Sequence, residues 1–177
     1  MREWTGLGQS GAGAALAGLC AGILLAFSLP PWGWWPLGLL GAAVLLTVGS
    51  GAPWPRRLLA AATFGLAFHV VGLWWMTEFS LPGYVVATLL EAAILALPLL
   101  LVPASGPARL VAFPAALVVA QAVQGHWPFG GVPLNGIALG QVGGPLAPAV
   151  RLGGHLLLVA LVGGAGGALA FFVEGLA

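Results

Sequence analysis

The chain has 177 residues, 60% of them hydrophobic and only 5% charged, with a formal net charge of +1 and a mean hydropathy of +1.08. Soluble domains carry roughly 25% charged residues, so a water-facing surface cannot be built here and the chain reads as an integral membrane protein. The five basic residues are all arginines and are scattered, which excludes nucleic acid as a partner, and the single cysteine, Cys20, excludes an internal disulfide.

Taken in chain order, the sequence predicts an all-α bundle of about six transmembrane helices in one domain, 1–177. The first span is about 11–29, an uncleaved span rather than a signal peptide, because it ends in Pro30-Pro31-Trp32 and not in a small-residue cleavage site. "PPWGWW" breaks it, and a short second span follows at about 35–49. "SGAPWPRR" is a turn-rich loop. The third span is about 58–77, the fourth about 83–104 with Glu91 inside it, and the fifth about 109–123 after the loop "SGPAR". The longest connection is an outer loop at about 124–148, opening on "QGHWPFGGVPLNG", and the sixth span is about 152–173. Spans that are apolar all round show no period, so these bounds rest on length and on the breakers.

Arginine placement orients the bundle. With the N-terminus in the cytoplasm, Arg2, Arg56, Arg57 and Arg109 fall inside and Arg151 outside. Trp32, Trp34, Trp35, Trp74, Trp75 and Trp127 then map to the outer boundary, and Trp4 and Trp54 to the inner. Interfacial tryptophan is ordinary, since its ring is apolar and its N–H needs a wet partner. The asymmetry also fits an outer mouth that handles lipid or peptide. Gly18 with Gly22, and Gly163 with Gly167, make two G-x-x-x-G pairs that read as helix-packing sites.

Few residues offer chemistry. Glu91 lies mid-span, where an ionisable group marks either a proton site or a protonated side chain bonded to a neighbouring helix. His69 and His155 read as packed, hydrogen-bonded histidines. No two of His69, His126, His155, Glu91 and Cys20 share ligand spacing on one helix, so no metal and no other cofactor is expected. The serines show no nucleophile-elbow pattern, and Cys20, deep in the first span, reads as a packing residue of low nucleophilicity.

Several stretches together resemble one family, the membrane part of apolipoprotein N-acyltransferase, in its actinobacterial form. They are "LAFSLPPWGWWPLGLL" (25–40), "GLAFHVVGLWWM" (65–76), "FPAALVVAQAVQGHWPFGGVPLNGIALGQ" (113–141) and "RLGGHLLLVALV" (151–162). No one motif is decisive, but their order and spacing match across most of the chain. The resemblance implies a multi-pass protein of the bacterial plasma membrane. It also implies an activity: a phospholipid acyl chain passes to a catalytic cysteine and then to the N-terminal cysteine of a lipoprotein, a two-step covalent scheme. In that family a Glu-Lys-Cys triad in an extracytoplasmic nitrilase-like domain does this.

The chain departs from the family at two places. It contains no lysine and stops at Ala177, after the sixth span. The resemblance therefore implies a membrane segment without its catalytic domain, inactive alone, and leaves open whether the chain is an enzyme. The family also carries Glu and Arg three apart at the end of span five and a Pro-Trp in the loop, where this chain has Gln121, Gln124 and Pro133-Leu134. Its substrate-binding candidates are Gln121, Gln124, Trp127, Phe129, Gly130, Gly131, Pro133, Trp74 and Trp75, with no catalytic residue. Expected partners are membrane phospholipid as acyl donor, a lipoprotein substrate and a separate catalytic domain or enzyme. Two alternatives remain at this level. One is a non-catalytic scaffold that anchors a partner such as a polyprenyl-phosphate mannose synthase. The other is a small transporter built around Glu91 and the histidines.

Overall fold

A computed structural model describes residues 10–130 and 134–176. Among these the chain is all-helical and without strands. Its six α-helices are α1 (Gly11–Phe27), α2 (Trp35–Val48), α3 (Trp54–Gly72), α4 (Leu81–Leu99), α5 (Arg109–Gln124) and α6 (Val150–Leu176). Arg2, Trp4, Gly131 and Pro133 lie outside the described residues.

The helix ends follow local chemistry. Ser10 caps α1 by accepting from the Gly13 amide, and Ser80 caps α4 by accepting from Gly83. Proline opens α2, α3 and α4, where its missing N–H costs nothing. Three ends depart most from expectation. The third helix begins at Trp54 rather than about 58, because proline in its first turn starts the helix inside "SGAPWPRR". The third helix stops at Gly72 rather than about 77, because the chain tightens into a 3-10 turn over Trp74–Glu78 that hydropathy cannot tell from a helix. The fourth stops at Leu99 rather than about 104, just after Pro98. α6 is kinked at Gly153 and Gly154, and only glycine tolerates the Gly154 backbone at φ 69° and ψ −167°.

Neighbouring helices close a ring in the order α1, α2, α6, α5, α4, α3 and back to α1. Small residues set the approach. A Cβ at Gly18 would overlap the Ala60 carbonyl and the Thr63 hydroxyl, and one at Gly22 the Phe64 carbonyl, so α1 and α3 pack backbone to backbone as the first glycine pair predicts. On α6 the working pair is Gly163 and Gly166. A Cβ at Gly163 would come within 2.8 Å of Pro114 Cα, and one at Gly166 within 2.5 Å of Ala42 Cβ, whereas Gly167 meets nothing closer than 3.6 Å. One hydrophobic core runs through all six helices, with Leu25, Phe64, Phe68, Leu95, Leu117 and Val159 fully buried.

By length and composition, two segments can cross a membrane: Leu81–Leu99 and Ala147–Leu176. α1, α2 and α5 are apolar but shorter, at 17, 14 and 16 residues, and α3 carries Arg56 and Arg57 in its first turn. The expected six crossings are thus supported by length in two cases.

The bundle has two unlike ends. The 28–34, 73–80 and 125–149 connections gather at one, with six of the seven described tryptophans; it is called the tryptophan end below. The 49–53 and 100–108 connections gather at the other with Trp54, Arg56, Arg57 and Arg109, and it is called the arginine end.

Candidate functional site

The long connection after α5 does two different things. Residues His126, Trp127 and Gly130 are exposed, with Gly130 in the left-handed region at φ 64°. Further on, the chain dives into the bundle, where Asn135, Ile137, Gly140 and Gln141 are buried and a 3-10 turn forms over Ile137–Gln141. Non-helical backbone at such depth is tolerable only where protein satisfies its polar groups.

Satisfaction comes from α5. The Ile137 amide donates to Gln121 Oε1 at 2.8 Å, and Gln121 Nε2 donates in turn to Gln124 Oε1. Gln124 Nε2 donates both to His69 Nε2 at 3.2 Å and to the Glu91 main-chain carbonyl at 3.0 Å. His69 Nδ1 closes the chain by donating to the Gly65 carbonyl at 2.8 Å. Only one assignment lets every link work: both amides oriented as stated and a neutral imidazole protonated on Nδ1. The network thus ties the connection to α5, α4 and α3 with no charged member. Buried and satisfied, such a chain fixes one geometry.

Around it lie buried polar atoms without a protein partner: Thr88 Oγ1, Glu91 Oε1, Asn135 Nδ2 and Gln141 Oε1. Asn135 lodges against Gly72, where a Cβ would collide with its amide nitrogen. Gln141 Nε2 donates to the Trp35 carbonyl at 3.2 Å, and Gly140 sits against the Ser28 hydroxyl, so the same connection is fastened to the α1–α2 corner as well.

The candidate residues are divided by this arrangement. Gln121 and Gln124 are buried, Gln124 at 2% exposure, and their polar atoms face inward. Trp74, Trp75 and Trp127 stand out from the tryptophan end, with Trp74 65% exposed and edge-on to Tyr84. Phe129 is half-buried against a small second cluster of Leu73, Tyr84 and Ala87. Gly131 and Pro133 lie outside the described residues. Sequence reasoning missed Asn135, Gln141 and Ser28; the one signal was polar residues spaced through the apolar run "LNGIALGQ".

Other side chains correct their readings. His69 is fully buried and bonded, as expected, but His155 is exposed beside the Gly153–Gly154 kink, which turns it away from the bundle. Cys20 is exposed, on the side of α1 turned away from its packed glycines Gly18 and Gly22. Glu91 is buried; its main-chain carbonyl accepts from Gln124, and its carboxyl oxygen Oε1 has no hydrogen-bond partner among the described residues.

At the arginine end, Arg109 opens α5 and is buried. Its guanidinium donates to Ser50 Oγ at 2.8 Å, to the Leu46 carbonyl at 3.1 Å and to both oxygens of Glu174, and it lies 5.1 Å from the Phe171 ring centre. Arg109 and Glu174 approach to 3.1 Å. That pair binds the end of α2 and the last turns of α6 to the start of α5.

A family model, that of the apolipoprotein N-acyltransferase N-terminal domain, matches residues 21–168, from within α1 to within α6.

Proposed function

The chain belongs to the apolipoprotein N-acyltransferase N-terminal domain family, and we propose on that premise that its bundle is the membrane-embedded part of such an acyltransferase. The match over residues 21–168 carries this reading. All of 1–177 then forms one transmembrane unit of the bacterial plasma membrane. It crosses six times with the N-terminus in the cytoplasm, which keeps Arg56, Arg57 and Arg109 inside. A helix of 14 residues such as α2 rises only about 21 Å against a hydrocarbon core of about 30 Å, and local thinning accommodates it.

The tryptophan end then faces outward. Trp74, Trp75 and Trp127 form a rim at which a phospholipid acyl donor and a lipoprotein N-terminus meet, with Phe129 and Gly130 in the same connection. Gln121 and Gln124 hold that connection in place from beneath. The chemistry lies elsewhere. With no lysine in the chain, a Glu-Lys-Cys triad has to come from another segment, and this chain alone transfers no acyl group.

Reconstitution tests this. In lipid nanodiscs with an acyl-labelled phospholipid and a diacylglyceryl peptide, the chain alone should give no labelled peptide; labelled product would overturn the division of labour. A phospholipid with a photoreactive acyl chain should crosslink most strongly to segments containing Trp74 and Trp127. Even labelling over the whole bundle would remove the entrance. In a Cys20→Ala background, Glu78→Cys should react with an impermeant maleimide from outside and Ala104→Cys should not; the reverse pattern would invert the topology.

A further inference from the structure

The arginine end contains a cleft that the acyl-transfer reading does not use. It opens where the end of α2, the start of α3, the end of α4 and the start of α5 converge, between Gly49 and Pro103. Its walls are apolar, with Leu45, Leu46, Leu99 and Phe113 among them, and two guanidinium groups, Arg57 and Arg109, face into it.

Their charges are not equally met. Arg109 is offset by Glu174. Arg57 donates to the Leu100 carbonyl at 3.0 Å and to the Val102 carbonyl, and makes no ion pair among the described residues. Two cations and one carboxylate leave one positive charge in an apolar cleft, half-exposed at Arg57. A carbonyl pair orients a guanidinium but does not neutralise it. Basic pockets between helices at the cytoplasmic boundary suit anionic headgroups, because phosphate supplies the missing charge while acyl chains lie on the apolar wall.

We propose that this cleft binds the phosphate of an anionic phospholipid from the leaflet at the arginine end, with Arg57 as the phosphate contact. The site is distinct from the acyl-donor entrance and lies at the opposite end of the bundle. A free phosphate shares the headgroup chemistry, but the apolar walls favour the lipid. The proposal rests on the membrane reading above, and its test separates the two.

The full chain, purified in detergent and delipidated, is titrated with short-chain phosphatidylglycerol, phosphatidylcholine and inorganic phosphate. Binding is read by thermal shift and native mass spectrometry. Phosphatidylglycerol should bind and raise the melting temperature, phosphatidylcholine should bind more weakly, and inorganic phosphate should do nothing at equal concentration. Arg57→Gln should weaken phosphatidylglycerol about fivefold or more, and Arg57→Lys should restore part of the loss. Arg151→Gln, the same charge change at the other end, should leave binding unchanged.

Equal binding of the two lipids, or equal losses in Arg57→Gln and Arg151→Gln, would overturn the site. An inorganic phosphate shift as large as the lipid's would make it a soluble-anion site and overturn the lipid assignment. Should Arg57→Gln fail to fold, Arg57→Lys carries the comparison: affinity retained within twofold of Arg151→Gln supports a charge contact, and binding abolished by a retained charge opposes it. Co-flotation with liposomes is scored separately. A chain that floats but does not discriminate lipids loses only the cleft, and one that does not float loses the membrane reading with it.

Discussion

The two ends of the bundle solve the same problem with different materials. At both, irregular backbone must be tied to helix ends that would otherwise expose polar groups. The tryptophan end does it with neutral groups: Ile137, Gln121, Gln124 and His69 pass hydrogen bonds from connection to α3, and no member is ionised. The arginine end does it with charge, through Arg109, Glu174 and Arg57. Depth explains the choice. His69 and Gln124 lie fully within protein, where an unpaired charge is costly. Glu174 remains 28% exposed on its side chain and Arg57 half-exposed, so charge there keeps some contact with the boundary.

This contrast predicts unequal losses. The largest belongs to Arg109→Leu, which strands Glu174, Ser50 and the Leu46 carbonyl together. Breaking a buried pair from one side costs about 3–5 kcal/mol, and the partial exposure of Glu174 puts the expected loss near the lower bound. Equilibrium unfolding in mixed micelles measures it. Replacing both partners, Arg109→Leu with Glu174→Leu, should recover part of the loss. A double variant worse than the single would mean that Arg109 is held by the carbonyl and hydroxyl alone.

At the tryptophan end Gln124→Leu removes two donations and one acceptance, but every stranded group is neutral, and about 2 kcal/mol is expected. The sharper test is coupling. Gln121 and His69 do not bond each other, yet both depend on Gln124. A cycle of Gln121→Leu and His69→Leu should therefore show an interaction of about 1 kcal/mol. Additive losses would dissolve the network into separate bonds. In Gln121→Leu the Ile137 amide should also lose hydrogen-exchange protection while amides in α1 keep theirs.

Glu91 lies beside the same neutral network. Its mid-span position leaves open a proton site or a side chain bonded to a neighbouring helix, and in the bundle Gln124 of α5 donates to its main-chain carbonyl. Glu91→Gln keeps that carbonyl and the shape of the side chain, so it should cost clearly less than Gln124→Leu in the same unfolding assay. A loss like that of Gln124→Leu would assign the carboxyl group a structural bond after all.

Much of the fold was legible because breakers are local. "PPWGWW" and "SGPAR" fall where a helix ends, as does the "SGAP" of "SGAPWPRR", whose "WPRR" instead opens α3, and Gly18 with Gly22 packs as its spacing predicts. Direction was not legible. In a segment apolar on all faces nothing distinguishes the packed side from the other, so Cys20 and His155 were read as inward and stand outward. Gln121 and Gln124, polar and close to a helix end, read equally well as the wall of a mouth. Their burial depends on a chain segment 13–16 residues further on, returning as Ile137, which no local pattern announces.

The smallest stability effect is expected at the rim, and there stability and function should part. Trp127 is 56% exposed and follows the last helical turn of α5, where its amide donates to the Val123 carbonyl through the main chain. Its side chain is outside the buried cores. Trp127→Ala should leave unfolding unchanged within about 0.5 kcal/mol, while crosslinking of the photoreactive phospholipid at the tryptophan end falls. Phe129, two residues on, packs against the Leu73 and Tyr84 cluster, so Phe129→Ala should show the opposite balance, a clear stability loss with crosslinking lowered only in proportion to unfolding. If Trp127→Ala leaves crosslinking untouched, the exposed tryptophans are only a membrane-boundary belt, and the entrance must be sought in the segment beneath them that Gln121 and Gln124 hold.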